Sequence, residues 1–212
     1  MLKVVLSFIL GGYAIAVMTD SGINKYSFSD TVELCVPKEA VYDNSLVNED
    51  EAKVGRLLIK MGDFPFKVNY ASENNPISEN SIFLKISDAH LRSASLKKRF
   101  DRVLNKIESS EILYDENTGL FRVAPEDQSA LSSEHYLTRD IRNDGFEAHP
   151  NNFEAWYAGL CVEGIGREDR CSTFLFHNGL YVEYHIVLSV MKNWKDIEAI
   201  IKNRLSSMSC TD

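Results

Sequence analysis

Thiols, guanidinium groups and carboxylates crowd one short segment, Cys161-Val162-Glu163-Gly164-Ile165-Gly166-Arg167-Glu168-Asp169-Arg170-Cys171. Strand-like runs flank it, so a hairpin would bring Cys161 and Cys171 together. A bridge at that point stiffens the loop in advance, and less conformational entropy is then lost when it docks. Arg167 and Arg170 supply forked donors, while Glu163, Glu168 and Asp169 supply acceptors, which makes the loop a candidate interaction element. An exposed hairpin tip without a partner would carry the same residues. Gly164-Ile165-Gly166 is no dinucleotide loop: it lacks a third glycine and the strand-to-helix setting, and the neighbouring carboxylates would repel phosphate.

The other chemistry-bearing residues assign no catalytic group. A serine nucleophile needs a neighbouring base and a turn that exposes it, but no Gly-x-Ser-x-Gly occurs, and Ser132-Ser133-Glu134-His135 reads as a polar helix face. His90, His135, His149, His177 and His185 show no paired metal-ligand spacing, nor do Cys161, Cys171 and His177, so no metal or cofactor is expected. The acidic runs Glu49-Asp50-Glu51 and Glu126-Asp127 read as solvated loops. Glu183 and His185 form the most suggestive pair. Two residues apart on a strand they share a face, where the carboxylate would raise the imidazole pKa, although a cross-sheet polar contact would place them equally well.

These residues must be held by elements that the periodicity makes visible. Leu96, Phe100, Val103, Leu104 and Ile107 recur at helical spacing and predict a helix over 94–108, with Ser93 as its N-cap. Trp194, Ile197, Ile201, Leu205 and Met208 predict a second over 194–207, capped by Asn193. Ahead of it, 153–162, 172–177 and 181–189 read as an antiparallel meander with a tight Asn178-Gly179 turn. Strands over 56–60, 64–70 and 81–87 precede the first helix in the same order, and 112–114 and 120–123 flank a hairpin turn. The expected class is α+β, with antiparallel sheets and two main amphipathic helices in two βββα-like lobes, 24–124 and 153–212. Residues 125–152 read as a polar linker with one short helix near 129–136.

Residues 1–18 carry Lys3 ahead of an apolar run of about 15 residues, Val4 to Met18, with small residues at Ala14 and Ala16. A spanning helix needs roughly 20 apolar residues, so the run suits an export signal cleaved after Ala16, or an anchor if uncleaved. Export into an oxidising compartment makes Cys35, Cys161, Cys171 and Cys210 bridge candidates with three formal pairings. The hairpin favours Cys161 with Cys171, which leaves Cys35 with Cys210. With 31 acidic against 23 basic residues and a net charge of −8, nucleic acid and anionic lipid surfaces are disfavoured partners, and a basic protein is favoured.

The leader, the stretch Leu34-Cys35-Val36-Pro37-Lys38, two βββα-like halves and a closing Trp194 helix together resemble periplasmic immunity proteins that bacteria use against type VI secretion toxins. The resemblance implies a non-enzymatic inhibitor that occludes the active site of a cognate envelope-targeting toxin, basic or neutral in charge. Membrane contact follows only if the leader is retained. An envelope hydrolase with dispersed His, Asp and Ser residues, and a structural envelope subunit, are the rival readings.

Overall fold

The computed structural model describes residues 22–43, 47–48, 53–54, 56–69, 78–123, 133–162 and 169–210. The leader, both acidic runs and residues 163–168 lie outside them. The chain opens with a hairpin, β1 (Ile23–Ser29) and β2 (Val32–Pro37), followed by β3 (Val41–Asp43) and the short pair β4 (Val47–Asn48) and β5 (Lys53–Val54). Next come β6 (Leu57–Met61), β7 (Ile82–Asp88), α1 (Ser93–Ser109), and the hairpin of β8 (Ile112–Asp115) and β9 (Leu120–Val123). The chain continues through β10 (Ser133–Leu137), one turn of helix α2 (Phe153–Trp156), β11 (Tyr157–Val162), β12 (Arg170–His177), β13 (Leu180–Val187) and α3 (Trp194–Ser207).

Among the described residues, nine strands pair antiparallel in the order β3-β6-β7-β13-β12-β11-β10-β9-β8. Strand β7 pairs with β13, so the two βββα-like segments share one sheet. The sheet divides two cores. On one face Leu57, Ile59, Ile82, Leu84, Ile86, Val182, Tyr184 and Ile186 pack beneath Ile197, Ile201 and Leu205 of α3 and beneath the β1–β2 hairpin. On the other face, Phe100, Val103 and Ile107 of α1 meet Phe153, Trp156, Tyr157, Phe174 and Tyr181. Each side chain of this kind contributes about 1.5–3 kcal/mol when fully buried.

Two bridges fasten this frame. Cys161 and Cys171 are direct cross-strand partners on β11 and β12 and are disulfide-bonded. Cys35 is bonded to Cys210, and the Cys35 amide donates to the Met208 carbonyl at 2.6 Å, which ties β2 to the end of α3.

Four local expectations require correction. Residues 64–69 form no strand: Asp63 has a φ of +56°, Pro65 lacks an N–H, and buried Phe64 and Val68 instead donate to the carbonyls of Asn80 and Glu79. The short helix expected near 129–136 is, where described, strand β10, inserted between β9 and β11 from within the stretch read as a linker. The expected strand at 153 begins at Tyr157, because Phe153–Trp156 turn helically to bury both aromatic rings. Neither Ser93 nor Asn193 makes a side-chain cap bond; Ser93 is the first residue of α1, with its hydroxyl on the His90 carbonyl at 3.0 Å.

Candidate partner-binding face

The bridged loop leaves the sheet at Val162 and returns at Asp169, whose carbonyl accepts the Leu188 amide at 2.9 Å; Glu163, Arg167 and Glu168 lie outside the described residues. Asp169 and Leu188 form one wall of a concavity of about 510 Å³ on the face shared with α3. The end of β8 supplies Tyr114 and Asp115 and the turn after it Glu116, while Arg122 comes from β9 and Glu134 and Tyr136 from β10. Among the described residues, four carboxylates and one guanidinium therefore line it, with Arg122 Nη1 2.9 Å from Glu134 Oε1. Asp115 sets the turn: its oxygens accept the Asn117 amide at 3.0 Å and the Thr118 hydroxyl at 2.8 Å. Burial, followed by the charges of Glu134 and Asp115, holds the Tyr136 phenol firmly protonated. A second hollow of about 490 Å³ shares Asp115, Asp169 and Leu188 and adds Ser189 and Lys192. Tyr114 stands 59% exposed at the rim, braced edge-on by Phe121 at 5.3 Å between ring centroids.

The opposite face carries a polar layer under α1. Glu183 accepts Lys85 at 2.7 Å and the Tyr181 hydroxyl at 3.0 Å, and Arg99 lies 3.8 Å away. Burial works against this carboxylate, but the bond and charge of Lys85 outweigh it and hold its pKa below the usual value. His185 departs from expectation. Burial, and then the charge of Arg170, depress its pKa, and the opposing pull of Glu183 is too small to reverse them. Ser133 and His135 line a cavity of about 520 Å³ on this face, whereas Glu134 turns to the acidic side, because alternate residues of β10 point to opposite faces. Ser132-Ser133-Glu134-His135 is thus no helix face where it is described, and its strand geometry separates Glu134 from His135. No three His, Cys, Asp or Glu residues cluster to hold a metal ion among the described residues.

A likeness in fold appears when the chain is set against solved structures. The chain is similar to a bacterial immunity protein. Smlt3025, described as an immunity protein of the Stenotrophomonas maltophilia type IV secretion system, superposes with a TM-score of 0.52 over 90% of this chain and 94% of that chain, at 11% identity. Identity this low carries the fold and no residue roles. No family model and no curated protein match the chain. Among the described residues no helix is long and apolar enough to cross a membrane.

Of the loop residues singled out by sequence, Asp169 joins the acidic concavity, whereas Arg170, exposed at the start of β12, alternates with Cys171 and so lies on the opposite face with Ser172 and His185. Tyr114, Glu116 and Arg122 carried no motif, and Glu134 stood out only within Ser132-Ser133-Glu134-His135, read there as a polar helix face. The hairpin of 112–114 and 120–123 around Asp115-Glu116-Asn117-Thr118-Gly119 locates the first three but not their neighbour Glu134 across the sheet.

Proposed function

We propose that this protein is an exported immunity protein that binds a cognate envelope-targeting toxin and covers its active site. The observation that carries the reading is the likeness in fold, along nearly the whole of both chains, to the Stenotrophomonas immunity protein. Two disulfides among the described residues support an oxidising destination such as the periplasm. The binding face is the bridged loop, with Glu163, Arg167, Glu168, Asp169 and Arg170, together with the acidic concavity beside it. Four carboxylates suit a basic element of the toxin, and exposed Tyr114 offers an aromatic contact at the rim. The layout resembles type VI immunity proteins, while the solved neighbour serves a type IV system, so immunity is the reading common to both.

The test is co-expression in the periplasm with the product of the adjacent gene. That product alone should arrest growth, and this protein should restore it; arrest that persists would refute the proposal. Tyr114→Ala with Glu116→Lys should weaken the purified complex about 30-fold or more without lowering the melting temperature. Deleting each secretion apparatus in the donor strain would decide between type VI and type IV delivery.

A further inference from the structure

We propose that the cavity between α1 and strands β10, β11 and β12 binds a phosphate monoester through Arg99 and Arg102. The cavity measures about 520 Å³, within the roughly 300–1,000 Å³ of small-molecule sites. In a chain of net charge −8, α1 is the basic exception: Lys97, Lys98, Arg99, Arg102 and Lys106 stand against Asp101 and Glu108. Arg99 and Arg102, nearly one turn apart, form one wall, and Ser133, His135 and Ser172 offer polar groups from the sheet. Leu96, Val103 and Leu160 supply apolar surface for the body of the ester.

Charge selects the ligand. Among the described residues the one carboxylate lining the cavity, Glu183, is held by Lys85 at 2.7 Å and the Tyr181 hydroxyl at 3.0 Å. Lys85, outside the lining, neutralises that carboxylate and leaves the two positive charges of Arg99 and Arg102 on the cavity wall, which matches a dianion. The Arg99 side chain is only 18% exposed, and its guanidinium lies 5.1 Å from the Phe174 ring centroid and 5.5 Å from that of Tyr157. A planar fork fixed in this way, in a partly desolvated site, favours bidentate capture of phosphate oxygens. His135 reports on the same space. Its Nδ1 lies 3.1 Å from the Tyr157 hydroxyl, and burial with the charges of Arg99, Lys106 and Arg102 depresses its pKa to about 4. A bound dianion would offset those charges and move that pKa upward.

The experiment titrates the full chain with phenyl phosphate, with potassium chloride at matched ionic strength, and with phosphatidylcholine vesicles with or without phosphatidate. Calorimetry and the His135 imidazole resonances are the readouts. The chain's negative charge opposes approach to an anionic bilayer, so phenyl phosphate is expected to bind saturably and to raise the His135 pKa, while vesicles do not bind. Arg102→Gln should weaken binding about tenfold; the residue is exposed, and its hydrogen bond is to the Lys98 carbonyl on the helix surface, so the fold is expected to survive. Arg99→Gln, with its melting temperature recorded, tests the second ligand. Binding to phosphatidate vesicles alone, lost in Arg102→Gln, would support the same site and assign the phosphate to a lipid headgroup. Failure of both probes to bind, an equal response to chloride, or unchanged binding by Arg102→Gln would overturn the proposal. None of these outcomes decides toxin binding, which the proposed function assigns chiefly to the acidic concavity on the other face of the sheet.

Discussion

Arg142 closes the C-terminal end of α1: its Nη2 donates to the carbonyl of Ile107 and, at 2.6 Å, to that of Ser110. The last carbonyls of a helix lack intrahelical partners, and here a residue more than 30 positions downstream supplies one. Arg142→Ala should therefore lower stability by about 1–2 kcal/mol in urea titrations. Arg142→Lys should restore part of that, because an ammonium keeps the charge without the fork. A loss within experimental error would show that solvent serves these carbonyls equally well.

The two disulfides close loops of very different length, with sequence separations of 175 and 10. On the chain-entropy model, removing Cys35–Cys210 costs about 5 kcal/mol and removing Cys161–Cys171 about 3 kcal/mol. The paired alanine variants, compared in denaturant, should rank in that order. The opposite ranking would mean that β2 and the end of α3 stay together without the covalent tie.

His135 and Glu198 bend the pH profile in opposite directions. The folded pKa of His135 falls to about 4, so it contributes stability above its unfolded value near 6.5 that is lost as pH drops through 4. Burial raises Glu198 to about 7, the charge of Lys202 opposing and that of Glu154 reinforcing the shift. Glu198 therefore contributes stability at pH below its unfolded value of 4.5, and this is lost as pH rises through 7. Each swing is at most about 3 kcal/mol, and the two largely cancel between pH 4.5 and 6.5. Glu198→Gln should make stability climb with pH over that interval, and His135→Gln should make it fall. Melting curves at half-unit steps will check both; parallel profiles for the two variants would contradict the assignments.

Gly179 occupies a position that no other residue fills comfortably. Its φ is +79°, next to Asn178 at +48°, and a Cβ there would lie 2.9 Å from Val32 Cγ2. Gly179→Ala should cost about 2 kcal/mol or more, combining backbone strain with displacement of the β1–β2 hairpin. Gly145→Ala is the control, with a φ of +69° and nothing within 4 Å of the added atom. It should cost about 1 kcal/mol, and an equal loss at both sites would remove Val32 from the account.

Local pattern exposed what local forces decide. The stripe from Trp194 to Leu205 gave α3, and the Asn178-Gly179 turn gave the β12–β13 hairpin, because helical periodicity and positive-φ turns lie in adjacent residues. β10 escaped for an equally physical reason. Ser133, Glu134 and His135 face polar concavities on both sides of the sheet, so no apolar alternation marks the strand. The irregular path of 64–69 was hidden because Phe64 and Val68 are buried as strand residues would be, while their backbone bonds go to a distant turn.

The sequence by itself determined the α+β class, the long helices and a cysteine-bounded loop rich in charge, since each of these is set by residues near one another along the chain. Only the tertiary structure decided that β7 joins β13, that Asp169 faces Glu116 and Glu134 across an acidic hollow, and that Arg99 lies above the rings of Tyr157 and Phe174. Pairings across more than 30 residues depend on which sheet edges and which buried faces fit together, and spacing along one chain does not encode that choice locally.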